Sequence, residues 1–472
     1  MSGFFGCISR RECVSDVFYG TDYHSHLGTK KAGMAFYNGD KFVRSIHSLQ
    51  SDYFRTKFEP EIPRFANSKM GIGVISDTES QPITISSHLG RFSLVTVSKI
   101  VNQEELLSEL FQKKAHFSEL SDSEINATEL VAILIQEARS FVEGIRNVYK
   151  KVKGSCSMLI LTEEGIYACR DKNGRTPLVL GKDGDGFVAA TESCSFVNLG
   201  YAFEKDLAPG EAVFLSSDGY QSVIGPSRRC QICSFLWVYY GYPSSAYEGI
   251  NVEEARYRNG ALMAKGDNAC EADFVAGIPD SGIGHAIGYS NERNMPYKRP
   301  FVKYTPTWPR SFMPQYQNLR DLVAKMKLLP NEELTRNARI IFLDDSIVRG
   351  TQLKDNVKKL YESGVKEIHM RISCPPLLFP CMFVNFSASR SELDLITRRV
   401  IADLEGEGSV DQEVLNEYAN PNTERYRRMV EEIRSRLNLT SLKFQTLPNL
   451  VKSIGLPRHK LCTHCWDHSS YY

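Results

Sequence analysis

Apolar positions at Leu130, Val131, Leu134, Ile135, Ala138 and Phe141 recur with helical spacing, which predicts one long helix over Thr128 to Val148. Neighbouring apolar runs are shorter. Ser157 to Thr162, Gly186 to Ala190 and Glu211 to Leu215 have the length and composition of strands, so the first half of the chain reads as mixed α and β. The texture changes at Gly225-Pro226-Ser227-Arg228-Arg229, a polar, turn-prone stretch suited to joining two domains. After it the pattern alternates. Phe274 to Ile278 reads as a buried strand leading through a glycine-containing turn into a helix, and Arg339 to Leu343 as a second strand followed by a loop. A helix then begins near Gln352, with Leu353, Val357, Leu360 and Tyr361 on one face and Gly364 as its stop, before a strand over Glu367 to Ile372. Strand, helix and strand in that order predict a parallel sheet covered by helices. Beyond about residue 395 the chain turns charged and helical, through Arg425 to Leu437, and then carries Cys462-Thr463-His464-Cys465.

Composition changes this picture little. The length of 472 residues suggests about two or three domains, and 42% hydrophobic against 24% charged residues is the balance of an ordinary globular chain. With Lys+Arg 57 against Asp+Glu 56 there is no basic excess to attract nucleic acid or an anionic membrane. No apolar run approaches the roughly 18 residues that cross a bilayer, and the opening residues lack a secretion signal, so a cytoplasmic protein is expected. Twelve cysteines are too dilute for a disulfide scaffold, which leaves apolar packing or metal binding for them.

The candidate chemistry lies in Asp344-Asp345-Ser346-Ile347-Val348-Arg349-Gly350-Thr351, between a strand and a helix. This places two carboxylates at the carboxyl end of a parallel strand, where open α/β sheets bind ligands. Asp344 and Asp345 can accept from ribose hydroxyls or support Mg2+, and Val348 to Thr351 can present backbone NH groups and a hydroxyl to a phosphate. Gly350 permits close approach. A bare Asp-Asp-Ser would read as a capped helix with an acidic N-terminus; the strand before it and Gly-Thr after it turn the reading towards a phosphorylated sugar. Cys462 and Cys465 form a C-x2-C pair, which taken alone suits zinc or a redox pair equally.

Four segments occur in order: Gly277-Ile278-Pro279-Asp280-Ser281, Pro309-Arg310-Ser311-Phe312, Lys325-Met326-Lys327-Leu328 and Leu343 through Thr351. Over nearly its whole length the chain resembles the amidophosphoribosyltransferase family, whose transferase half is a type I phosphoribosyltransferase. The resemblance implies an α+β N-terminal-nucleophile hydrolase-like domain over 1–226, an α/β phosphoribosyltransferase domain over 227–398 and a helical extension over 399–472. It implies that Ser281, Asp344 and Asp345 surround Mg2+, that Ser346, Val348, Arg349, Gly350 and Thr351 bind phosphoribosyl pyrophosphate, and that Arg310, Lys325 and Lys327 meet the pyrophosphate. The implied reaction displaces pyrophosphate from C1 by ammonia, the first step of purine synthesis. Cys233, Cys381, Cys462 and Cys465 align with the ligands of those relatives that carry a 4Fe-4S cluster; a zinc site or buried free thiols remain alternatives. Relatives are commonly homotetramers inhibited by purine nucleotides.

The glutaminase half of the resemblance is degenerate. Ser2 stands where the family exposes a cysteine, and a hydroxyl is a much weaker nucleophile near neutral pH. Ser76 replaces the arginine expected to pair with the glutamine carboxylate, Val97 the oxyanion-hole asparagine, and Ala127 the aspartate expected to hold the substrate amine. Losing one oxyanion donor typically costs about 100-fold to 1,000-fold. The expectation is a working transferase fed by ammonia from solution or from a separate glutaminase; the alternatives are a conventional glutamine-dependent enzyme and a non-catalytic nucleotide-binding homologue.

Overall fold

The computed structural model describes residues 2–121, 124–267, 271–304, 328–385, 391–406 and 410–469. The first half is built on strand Ser2–Ser9, buried along its whole length because both of its faces are covered. It lies in the middle of a seven-stranded sheet, between Gly186–Ala190 and Met70–Ser76, both antiparallel to it. A second, six-stranded sheet contains Gly90–Ile100 paired with Gly154–Leu161.

Side-chain alternation explains the layering. Phe4 and Ile8 point into a core shared with Val95, Val97, Leu159 and Leu161 of the second sheet. Phe5 and Cys7 point the other way, against Val14, Val17 and Phe18 of helix Val14–Asp22. On the outer face of the second sheet, Leu94, Met158 and Ile160 pack against Leu130, Leu134, Ile145 and Val148. The result is two sheets face to face with helices outside both.

The long helix predicted over Thr128 to Val148 is two helices, Ala127–Gln136 and Phe141–Lys151. Apolar spacing continues across the break, but Ser140 is extended, at φ −148° and ψ 160°, and its hydroxyl accepts from the Glu143 amide. Such a cap stabilises a helix start by about 1 kcal/mol, and it begins a second helix that folds back on the first. Strand Gly186–Ala190 lies where the apolar pattern puts it.

The second half holds four parallel strands in the order Phe274–Gly277, Arg339–Asp344, Glu367–Ile372 and Ser441–Phe444. Helix Ile283–Arg293 follows the first strand and helix Thr351–Glu362 the second. Gly364, with φ +91°, ends the turn after the latter. The segment expected as a helical extension from 399 contains helix Glu424–Arg436, and it also supplies the fourth strand. No helix among the described residues is long and apolar enough to cross a membrane.

Candidate functional site

Three strand ends converge on the first site. Gly277 lies beside Leu343 and Asp344 beside Ile372, so the loops that follow all leave the sheet at its carboxyl edge. There the Ser281 hydroxyl donates to Asp344 Oδ1 at 3.1 Å, the Asp345 amide to the same oxygen at 2.9 Å, and the Ser346 hydroxyl to Asp345 Oδ2 at 2.5 Å. Burial, and then the adjoining Asp345 carboxylate, push the Asp344 carboxyl well above its ordinary range. A hard divalent cation is the partner that such an oxygen set suits, since it relieves repulsion between like charges. The donor set therefore fits Mg2+.

The loop beyond the carboxylates turns tightly into the next helix and is held from behind. Gly350 caps helix Thr351–Glu362 with φ +76°, a conformation that disfavours any side chain, and an added Cβ would also stand 2.7 Å from Ile396 Cδ1. The Val348 carbonyl accepts from the Ile396 amide at 2.8 Å, which anchors the loop from behind. Arg349 is exposed and pairs with Asp394 at 3.3 Å, while Thr351 is exposed at the first helical position. The Pro279–Asp280 peptide is cis, and Asp280 pairs with Lys303, a residue that the motifs did not single out. Arg310, Lys325 and Lys327 lie outside the described residues.

The pocket at Ser2 is different. Its cavity measures about 10 Å³ and is lined by Ser2, Val97, Ser98, Ser155, Thr176, Val384 and Asn385, room for roughly one water molecule. The Ser2 hydroxyl donates to Ser76 Oγ at 3.2 Å, and the same oxygen accepts from the amides of Thr78 at 3.2 Å and Glu79 at 3.0 Å. At the position of the expected aspartate, the Ala127 amide donates instead to Glu79 Oε2 at 3.1 Å. Asn385 crosses from the second half and donates to the Ser98 carbonyl at 2.9 Å.

A third site gathers the four cysteines. Cys233 lies directly beside Cys462 in a short parallel pairing of Ile232–Cys233 with Leu461–Cys462. The Leu378 and Phe379 amides donate to the Cys465 carbonyl at 3.0 and 3.2 Å, which brings the Cys381 loop to the same place. Cys381 is drawn down to about 6, chiefly by its hydrogen bond with Cys465, then by the Phe383 and Val384 amides and Lys99, against its burial. Burial pushes Cys233 and Cys462 up. Cys374 and Cys230 stand beside these segments. Among the described residues no group of three or more His, Cys, Asp or Glu is placed to hold a metal ion. Four thiols brought together from four segments are, as a donor set, of the kind that holds an iron–sulfur cluster.

Paired antiparallel sheets headed by a buried N-terminal strand, joined to a parallel sheet with a phosphate loop, define an N-terminal-nucleophile amidotransferase half coupled to a type I phosphoribosyltransferase half. Comparison with known proteins agrees on both. A family model described as a glutamine amidotransferase domain matches residues 67–198. The amidophosphoribosyltransferase of Methanocaldococcus jannaschii is 30% identical over 98% of this chain and 96% of its own length, and that of Archaeoglobus fulgidus is 34% identical over 66% of this chain and 68% of its own. The solved glutamine phosphoribosylpyrophosphate amidotransferase of B. subtilis, complexed with ADP and GMP, matches 99% of this chain and 96% of its own at 29% identity and a TM-score of 0.84. The chain belongs to the amidophosphoribosyltransferase family, a family of glycosyltransferase enzymes.

Proposed function

We propose that this protein transfers the phosphoribosyl group of phosphoribosyl pyrophosphate to ammonia, and that its own glutaminase half is silent. In this reading residues 1–226 are the glutaminase-like half, 227–398 the transferase and 399–472 its extension. The observation that carries it is the contrast between a loop with two adjoining carboxylates and an exposed helix start at Asp344 to Thr351, and a Ser2 position whose hydroxyl neighbours are hydrogen-bonded among themselves beside a cavity of about 10 Å³.

Ammonia attacks C1 of the sugar, the bond from C1 to the pyrophosphate oxygen breaks, and the new nitrogen gives up a proton to water, yielding phosphoribosylamine. Asp344, Asp345 and Ser281 hold the cation and the sugar hydroxyls; Ser346 and Val348 to Thr351 hold the phosphate against the helix N-terminus. When bound, Mg2+ supplies positive charge against the departing pyrophosphate. Arg310, Lys325 and Lys327 are assigned to the same pyrophosphate from their motifs. Cys233, Cys381, Cys462 and Cys465 are assigned to a 4Fe-4S cluster on the chemistry of the four thiols. A cytoplasmic homotetramer is the context that the family resemblance implies, and purine nucleotides are proposed as its inhibitors because the B. subtilis relative was solved complexed with ADP and GMP.

The test is pyrophosphate release by anaerobically purified protein given Mg2+ and phosphoribosyl pyrophosphate, with ammonium or glutamine as the sole nitrogen source. Turnover with ammonium alone supports the proposal. Efficient turnover with glutamine overturns the silent half, and no turnover with either points to the non-catalytic homologue.

A further inference from the structure

We infer that Arg175, a residue of the glutaminase-like half, is a positioning and charge-balancing residue of the four-cysteine site, so that the silent half serves as one wall of that site. The inference rests on the four-cysteine reading above and adds what the other half of the chain does there.

Arg175 touches three of the four cysteine segments. Its guanidinium donates through Nη1 to Cys462 Sγ at 3.3 Å and lies over the Phe383 ring, 3.5 Å from its centre, two residues beyond Cys381. Its backbone carbonyl accepts from the Cys233 amide at 3.1 Å, and Asn173 accepts from Gln231 at 2.7 Å. Arg175 as a whole is only 1% exposed. Other residues of this half hold the Cys381 loop as well: Lys99 Nζ donates to the Cys381 carbonyl at 2.6 Å and Ser155 Oγ to the Phe383 carbonyl at 2.5 Å.

Four thiolates around an oxidised 4Fe-4S core leave a dianion, and adding an electron makes it more negative. A buried fixed cation donating to one of the sulfurs favours the reduced form and the deprotonated thiolates alike, because little water intervenes to screen it. Lys99 acts on the same side at the Cys381 carbonyl. A residue that merely joined two halves would have no reason to affect the electron affinity of the site.

The experiment uses the anaerobically purified full chain and reads iron and sulfide content, visible absorption, the midpoint potential and the rate of bleaching in air. In Arg175→Met the expected results are bleaching at least about threefold faster and reduction about tenfold less favourable, which is about 59 mV more negative for a one-electron couple. Arg175→Lys keeps the charge and should fall between Met and the parent, and Lys99→Met should shift the potential in the same direction by less. An unchanged potential and bleaching rate in a folded Arg175→Met protein overturns the inference and leaves the four-cysteine reading standing. Should that variant fail to fold, Arg175→Lys and Lys99→Met carry the test, and parental values in both overturn it. A parent chain that takes up no iron and sulfide, even on reconstitution, overturns both.

Discussion

The Asp344 loop and the Ser2 pocket are made of similar materials, hydroxyls and backbone amides beside a strand end, yet they distribute their hydrogen bonds in opposite ways. At Ser2 the polar groups are consumed internally: Ser76 serves Ser2, Thr78 and Glu79, the Glu79 carboxylate takes the Ala127 amide, and Gln81 bridges the amide and carbonyl of Thr96. At Asp344 two carboxylates adjoin, one is held well above its usual range, and the helix start beyond them is exposed. Under the proposal this difference has a meaning: a site that acts keeps electrostatic demands for its substrate to satisfy, whereas one that has met them from within does not. Val384 and Asn385 of the second half line the cavity beside Ser2.

The contrast can be broken most decisively at the carboxylates. Asp344→Asn, or chelation of Mg2+, should lower ammonium-dependent pyrophosphate release by about 1,000-fold, the scale of losing one electrostatic anchor in a closed site. Activity within tenfold of the parent would mean that the loop is not the centre of the chemistry.

Acid should affect both halves alike. His24 is buried against Gly20 and faces Glu192 and His26, and burial lowers it to about 4; His285 is buried beside Arg256 and is lowered to about 3. Because both folded values lie below the unfolded value of about 6.5, this stability is fully present above that pH and is lost as pH falls towards the folded values. Between pH 7 and pH 5 each histidine should cost about 2 kcal/mol, read as a lower urea midpoint. Equal midpoints at the two pH values would show that neither histidine is held neutral.

Smaller again, Gly350→Ala should raise KM for phosphoribosyl pyrophosphate about tenfold with little change in kcat, since a side chain in the left-handed region costs about 1–2 kcal/mol. An unchanged KM would detach the loop from the phosphate. At the far end of the scale, Ser2→Ala should leave ammonium-dependent turnover within about twofold and Tm within a few degrees. A large loss of turnover there would restore Ser2 to the mechanism.

Much of the transferase half could be read from the chain because its signals are local. Arg339–Asp344 and Glu367–Ile372 are contiguous apolar runs flanking a helix that starts after Gly350, and each lies within one residue of its expected place. The break between Gln136 and Phe141 was hidden because apolar spacing runs through it, and a single serine cap outweighs that spacing. Strand Ser441–Phe444 was missed for another reason: it has four residues and fully buries only Leu442, too little pattern to register. Arg175 and Lys99 gave no signal at all. Their contacts with the cysteine segments span 287 and 282 residues, and no periodicity reaches that far.

The two-residue pairing of Ile232–Cys233 with Leu461–Cys462 also has a bearing on time. Ser234 donates to the Cys462 carbonyl across 228 residues, which at ordinary rates of synthesis is a delay on the order of tens of seconds. The glutaminase-like half, including Arg175, is complete before that delay begins. In a chain that folds as it is made, the Arg175 carbonyl is therefore in reach of the Cys233 amide before the partner strand has been synthesised.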